Sequence, residues 1–199
     1  RTIVSCEPTT PFCRSCVAWP TNVSSGDKPL RRKNLEPTIF APPMPNKHVS
    51  IRHAHDADYC RIEALRSEAG FAPEAAESFR RSLHQPGFRN MVLELDGEPI
   101  GFCQALLLPP EVELLEIAVS LAHQGRGWGR KLLDDLLDES RKVGCRRCRL
   151  EVRASNHAAR RLYESAGFRY TGRRKGYYDN PTEDALLMEF VLDALSETQ

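Results

Sequence analysis

Two stretches of the chain hold residue types at spacings that could do chemistry. The first is Leu115-Glu-Ile-Ala-Val119 followed by Gln124-Gly-Arg-Gly-Trp-Gly-Arg-Lys131. A strand pattern running into glycines and then into a helix start makes a cradle for a pyrophosphate. The first N–H groups of a helix lack intrahelical partners, and glycine lets an anion come close to the backbone. Arg126, Arg130 and Lys131 add positive charge at the same place. The spacing is not G-x-x-x-x-G-K-[ST], and it lacks the third glycine position of the dinucleotide fingerprint. A glycine-rich turn from strand to helix is the bland alternative. The second stretch runs from Leu150 to Phe168. Glu151 stands between Leu150 and Val152, so on a strand it faces away from both. A solvated Glu on an exposed strand face is the common case for such a carboxylate. Tyr163 shares a helical face with Ala159 and Ala166, as a packed core aromatic would. Asn156 can cap a helix. Glu113 and Glu116 belong to the preceding strand, and strict alternation places them on opposite faces, so that at most one reaches a shared cleft.

These residues need elements to hold them. Val49 and Ile51 alternate as a first strand, and residues 56–69 and 73–84 carry apolar positions at helical spacing, with Pro73 suited to a first turn. Residues 91–95 and 100–107 around Asp96-Gly97 read as a hairpin. Pro109-Pro110 forces a turn before a strand over 112–119. The glycine loop opens a helix with Trp128, Leu132, Leu133, Leu136 and Leu137 on one face, ended by Gly144. A strand over 149–153 follows. Ser155-Asn156 caps a helix that runs to Ala166 and stops at Gly167, and strands over 168–173 and 185–192 close the chain. The order β-α-α-β-β-β-α-β-α-β-β predicts an α/β (α+β) protein, a mixed sheet with helices on its faces.

Composition excludes several classes. Over 199 residues, Lys+Arg 28 against Asp+Glu 27 leaves a net charge of +1, which gives no case for nucleic-acid binding by bulk charge. No run of uncharged apolar residues is long enough to span a bilayer, and the start has no basic-then-apolar pattern, so neither a membrane partner nor a secretory leader is expected. A cytoplasmic protein is the expectation. Residue 1 is Arg rather than Met, the mark of a fragment or a misplaced start. Residues 1–47 hold eight of the 14 prolines and no apolar periodicity, and are expected to be a flexible tail ahead of one domain over 48–195. Seven cysteines, an odd number, argue against a disulfide framework. Cys13-Arg-Ser-Cys16 and Cys145-Arg-Arg-Cys148 lie too far apart for ordinary zinc-ribbon spacing, so no metal is expected.

The motif Gln124-x-x-Gly127-x-Gly129 resembles the acetyl-CoA loop of the GNAT superfamily of N-acetyltransferases. Leu150-Glu-Val-Arg-Ala-Ser-Asn156, Arg161-Leu-Tyr-Glu-Ser-Ala-Gly-Phe168 and Gly176-Tyr-Tyr178 ahead of Glu183-Asp-Ala-Leu-Leu-Met188 resemble its ribosomal-protein-alanine N-acetyltransferase branch. The resemblance covers about His48 to Leu195. It implies a GNAT fold, with a central, mostly antiparallel mixed sheet flanked by helices, and acetyl-CoA as co-substrate. It also implies Glu151 as general base and Tyr163 as general acid, with Glu113 and Glu116 as rival bases on the preceding strand. Ile117, Ala118 and Val119 would meet the acetyl-pantetheine end. Gly125, Arg126, Gly127, Trp128, Gly129 and Arg130 would meet the pyrophosphate, and Asn156 the CoA arm. Gly125 departs from the branch, which usually carries a side chain such as Arg there; contacts through backbone amides tolerate the change.

The implied acceptor is a protein N-terminal α-amine, foremost the N-terminal alanine of a small-subunit ribosomal protein. A lysine side chain or small-molecule amine is the alternative enzyme reading, and an acetyl-CoA sensor or scaffold the non-enzymatic one. An α-amine with a pKa of about 7.7–8.0 is partly neutral near neutral pH, whereas a lysine near 10.4 is far less so. One carboxylate therefore suffices as base. Backbone amides near Val119 can meet a developing oxyanion. Proton return from a tyrosine near pKa 10 to a thiolate near about 8.5 costs roughly 2 kcal/mol unless the site lowers the phenol.

Overall fold

The computed structural model describes residues 48–192 apart from 72–75 and 180. The expected tail over 1–47, Pro73, Cys13 and Cys16 lie outside the described residues. Seven strands form one sheet: β1 (Val49–His53), β2 (Phe88–Leu95), β3 (Glu98–Leu108), β4 (Glu111–Val119), β5 (Arg147–Arg153), β6 (Arg169–Tyr178) and β7 (Glu183–Val191), in the order β1-β2-β3-β4-β5-β7-β6. The helices are α1 (Tyr59–Glu68), α2 (Ala76–Ser82), α3 (Trp128–Lys142) and α4 (His157–Ala166). The Asp96-Gly97 turn has φ of 55° and 83°, the two positive values a primed hairpin turn requires, and it joins β2 to β3 as expected. Every pairing is antiparallel except β4 with β5, which α3 joins as a crossover.

Two cores lie on opposite faces. Leu132, Leu133, Leu136 and Leu137 of α3 are buried on one face with Val112 and Leu114 of β4, Leu150 and Val152 of β5, and Tyr163 of α4. On the other face Ile62 and Leu65 of α1 and Phe79 of α2 cover Val92, Phe102 and Ala118. Among the described residues that second cover stops short of β5 and β7, whose outer face is an open groove. Cys145 and Cys148 go into the α3 core, where burial pushes the Cys148 thiol up to about 12 and the Cys145 Sγ–H donates to the Glu111 carbonyl at 3.4 Å. No described helix is long and apolar enough to cross a membrane.

Three details differ from the sequence reading. In β4 the register jumps from Leu114↔Ala105 to Glu116↔Gln104, leaving Leu115 as a bulge. A bulge shifts the alternation by one. Val112 and Leu114 therefore face the α3 core, whereas beyond the bulge Ala118 joins the α1 core, and Ile117 and Val119 pack against the α3 side. Glu113 and Glu116 consequently share a face, and their expected placement on opposite faces is corrected. Second, β4 and β5 pair only from Glu111↔Arg147 to Leu114↔Leu150, although both strands continue, so they splay apart beyond that point. Third, β6 runs on to Tyr178 through another register shift, past the expected end at Arg173.

Candidate active site

The glycine loop is a cradle with room in it. Gly125 and Gly127 hold φ of 72° and 85°, which side chains rarely adopt, and a Cβ at either would meet nothing within 4 Å. Gly127 is the N-cap of α3, no described side chain caps the helix, and the first closing bond is Lys131 N–H to the Gly127 carbonyl at 3.0 Å. The N–H groups of Trp128, Gly129 and Arg130 thus point out of the helix end as free donors. The Trp128 Nε1–H is also buried without a partner among the described residues. An anion with a chain attached fits this donor set. Gln124 Nε2 donates to the Val119 carbonyl at 3.0 Å and ties the loop to the end of β4. Arg126 is exposed. The Arg130 guanidinium is engaged elsewhere: it pairs with Asp134 at 2.8 Å and donates to the Ser165 carbonyl at 3.1 Å, joining α3 to α4. Its contribution at the cradle is its backbone N–H. Gly129 lets α4 approach, since a Cβ there would lie 3.4 Å from Leu162 Cδ2.

The splay places Ile117, Ala118 and Val119 along one wall of a gap, with backbone groups on the β5 side that no strand pairs. Glu151 stands on the other wall. Its side chain points to the open face, away from Leu150 and Val152 in the core, and Arg174 Nη1 donates to its Oε1 at 2.7 Å. Tyr163 lies on the opposite face. Its ring is buried at 5% exposure, 5.6 Å from the Phe168 ring, and burial pushes its hydroxyl above the ordinary phenol value. A lowered phenol would ease proton return to a thiolate; the enclosure raises it instead. Asn156 caps α4, its Oδ1 accepting from Ala159 N at 3.0 Å, which leaves its amide N–H groups for another partner.

The rival carboxylates separate by their partners. Glu116 is bound by Arg66 through two bonds of 2.9 Å, and Arg66, only 2% exposed, also donates to Glu63 at 3.0 Å and lies over the Phe71 and Phe79 rings. Burial pushes the Glu116 carboxyl up while Arg66 pulls against it. Glu113 is exposed on the open face. A groove of about 520 Å³ runs over that face, lined by Leu106, Glu113, Arg149, Glu151, Leu187 and Glu189. Arg66 and Arg174 were missed in the sequence. Arg66 carries no local signal, whereas Arg174 stands four residues before Tyr178, in a segment read as lying outside any strand.

A helix-end cradle of free N–H groups thus lies beside a gap between two parallel strands, with Glu151 on one face of the sheet and Tyr163 in the core on the other. Residues 55–168 match the Acetyltransferase (GNAT) family, and the chain belongs to that family as an acetyl-CoA-dependent N-acetyltransferase. It is similar to the [ribosomal protein bS18]-alanine N-acetyltransferase of Haemophilus influenzae, at 36% identity over 149 residues, 71% of this chain and 98% of that protein. It is also similar to the N-alpha-acetyltransferase RimI of Mycobacterium tuberculosis, at 36% identity over 137 residues, 67% of this chain and 85% of that one. Among solved structures, the ribosomal-protein-S18-alanine N-acetyltransferase of Escherichia coli superposes with a TM-score of 0.69 at 31% identity, over 76% of this chain and 99% of that one.

Proposed function

We propose that this acetyltransferase acts on a protein N-terminal α-amine, and specifically on the N-terminal alanine of a small-subunit ribosomal protein. A cytoplasmic place of action follows from that acceptor. The observation that carries the reading is the position of Glu151: a carboxylate on the open face, beside the β4–β5 gap and in the wall of a groove that can take an extended chain. The names of the relatives support it: one is an N-alpha-acetyltransferase, and another acts on the alanine of ribosomal protein bS18.

In this reading the amides of Gly125, Arg126, Gly127, Trp128, Gly129 and Arg130 hold the CoA pyrophosphate. Ile117, Ala118 and Val119 line the acetyl-pantetheine end, and the Asn156 amide meets the CoA arm. Acetyl-CoA supplies an acetyl group already activated as a thioester. Glu151 accepts the proton of the incoming ammonium, directly or through water, and so keeps the amine nucleophilic. Unpaired backbone N–H groups near Val119 stabilise charge on the acetyl oxygen. Tyr163, on the far side of the gap, returns a proton to the departing sulfur. Its raised pKa does not forbid this, because the enclosure that penalises a phenolate penalises a thiolate beside it as well. The difference between the two stays near the solution value of roughly 2 kcal/mol. The test is acetylation of peptides that differ at residue 1, each with a free and a blocked N-terminus. Transfer to free-amine peptides with a preference for alanine supports the reading. Transfer to blocked peptides through lysine overturns it, and binding of acetyl-CoA without any transfer leaves a sensor.

A further inference from the structure

Arg174 occupies a position that the proposed reaction needs for its substrate. Its Nη1 sits 2.7 Å from Glu151 Oε1, on the same open face from which the acceptor reaches that carboxylate. The acceptor amine arrives largely as an ammonium, which is the same charge seeking the same oxygen atoms.

The local backbone is arranged to keep the arginine there. In β6, Arg174 pairs with Ala185 and Tyr178 pairs with Glu183, so four steps along β6 match two along β7. The surplus residues form a bulge, with Gly176 at φ 58° and its N–H donating to Asp184 Oδ1 at 2.9 Å. Bulges re-aim side chains. This one turns Tyr177 back over its own strand, so that the Arg174 guanidinium lies 3.8 Å from the centre of the Tyr177 ring. The arginine is held from one side by an aromatic face and from the other by the carboxylate. Its side chain is half exposed, and ion pairs of that exposure are weak. A competing cation can therefore displace it from Glu151 while the ring retains it.

We infer that Arg174 is a stand-in for the acceptor ammonium: it occupies Glu151 in the free enzyme and yields the carboxylate to an acceptor that brings its own positive charge. This rests on the assignment of Glu151 as base. Acceptors that reach the groove without a cation, such as peptides with a blocked N-terminus, do not displace it, so the contact selects for free amines before any chemistry. Arg174 also keeps Glu151 from standing unpaired on the open face between turnovers.

The test is steady-state kinetics of the full chain and of Arg174→Ala and Arg174→Lys, with an alanine-initiated peptide as acceptor and melting temperature as a control on folding. Removing the competitor lowers the peptide KM about twofold to fivefold, the span of a weak ion pair, and raises kcat/KM by the same factor. The KM for acetyl-CoA does not follow. Arg174→Lys keeps a cation in place and restores most of the wild-type KM. An unchanged or raised peptide KM in Arg174→Ala, or a fall in kcat with KM constant, makes Arg174 a positioning group for Glu151 and overturns the inference. If the wild type acetylates lysine peptides alone, the N-terminal reading fails, yet the same comparison on the lysine acceptor still decides the role of Arg174, because that acceptor also arrives as an ammonium. If no amine is acetylated, both readings fall.

Discussion

At the scale of the residue, the proposed base and acid stand on opposite faces of the sheet. Glu151 looks out to the open groove, and Tyr163 is enclosed by the α3–α4 core. Glu151→Gln keeps the shape and removes proton acceptance. Its rate deficit should be largest near pH 6.5, where most α-amine is charged, and should shrink towards pH 9 as the amine loses its proton unaided. A deficit that does not change over this range would take the base role from Glu151. Glu113 would then inherit it, since Glu116 is held by Arg66 on both oxygens. Tyr163→Phe keeps the ring against Phe168 and removes the hydroxyl, so kcat should drop on the order of a hundredfold while acetyl-CoA affinity holds. A lower melting temperature at unchanged kcat would make the tyrosine a packing residue. Both were legible in the sequence as candidates, through the motifs that carry the family resemblance. Arg174 was not, because its contact with Glu151 depends on a bulge whose register no local pattern announces.

At the scale of the element, strand β4 sets the geometry. Its bulge at Leu115 reverses the alternation, and its separation from β5 beyond Leu114 opens the gap. The hydrophobic pattern of Val112 to Val119 predicted a strand, and it did so correctly. It could not reveal that the strand changes faces midway, since an extra residue leaves the composition untouched. Arg66 marks what holds the outer half of β4 to α1. Arg66→Met leaves Glu116 buried without its partner and should cost about 3–5 kcal/mol in urea unfolding, whereas Arg66→Met with Glu116→Leu should recover most of that loss. No recovery in the double variant would mean that the pair contributes more than charge compensation. The helix α3 carries the cradle. Gly127→Asp puts a side chain at φ 85° and a negative charge among free N–H groups, so the acetyl-CoA dissociation constant should rise at least tenfold, about 1.4 kcal/mol. Unchanged affinity by calorimetry in a folded variant would remove the cradle from the account.

At the scale of the whole molecule, the element order, the hairpin and a sheet with helices on its faces followed from periodicity and turn chemistry, and the amphipathic face of α3 followed from its leucines. The open face over β5 and β7 did not follow, because it is defined by where the described helices stop rather than by any pattern in the strands. Buried groups predict how the fold responds to pH. Arg52 beside Asp58 holds that carboxyl below its ordinary value, so its contribution is present above about pH 4 and is lost as pH falls through the folded value. Burial raises Cys148 to about 12, so its contribution is complete below the free thiol value of about 8.5 and is lost as pH rises towards 12. The melting temperature should be level between about pH 6 and 8 and decline on both sides. Cys148→Ala should lose less between pH 8 and 10.5 than the wild type; an equal loss would place the alkaline transition elsewhere. The claim that joins these scales is that the groove delivers an N-terminal α-amine to Glu151. It is tested most directly by offering a peptide that carries both an N-terminal alanine with a free amine and an internal lysine, and locating the acetyl group by fragmentation mass spectrometry. The account predicts a single acetyl group on the alanine nitrogen at neutral pH. An acetyl group on the lysine side chain, with the N-terminus left free, would contradict it.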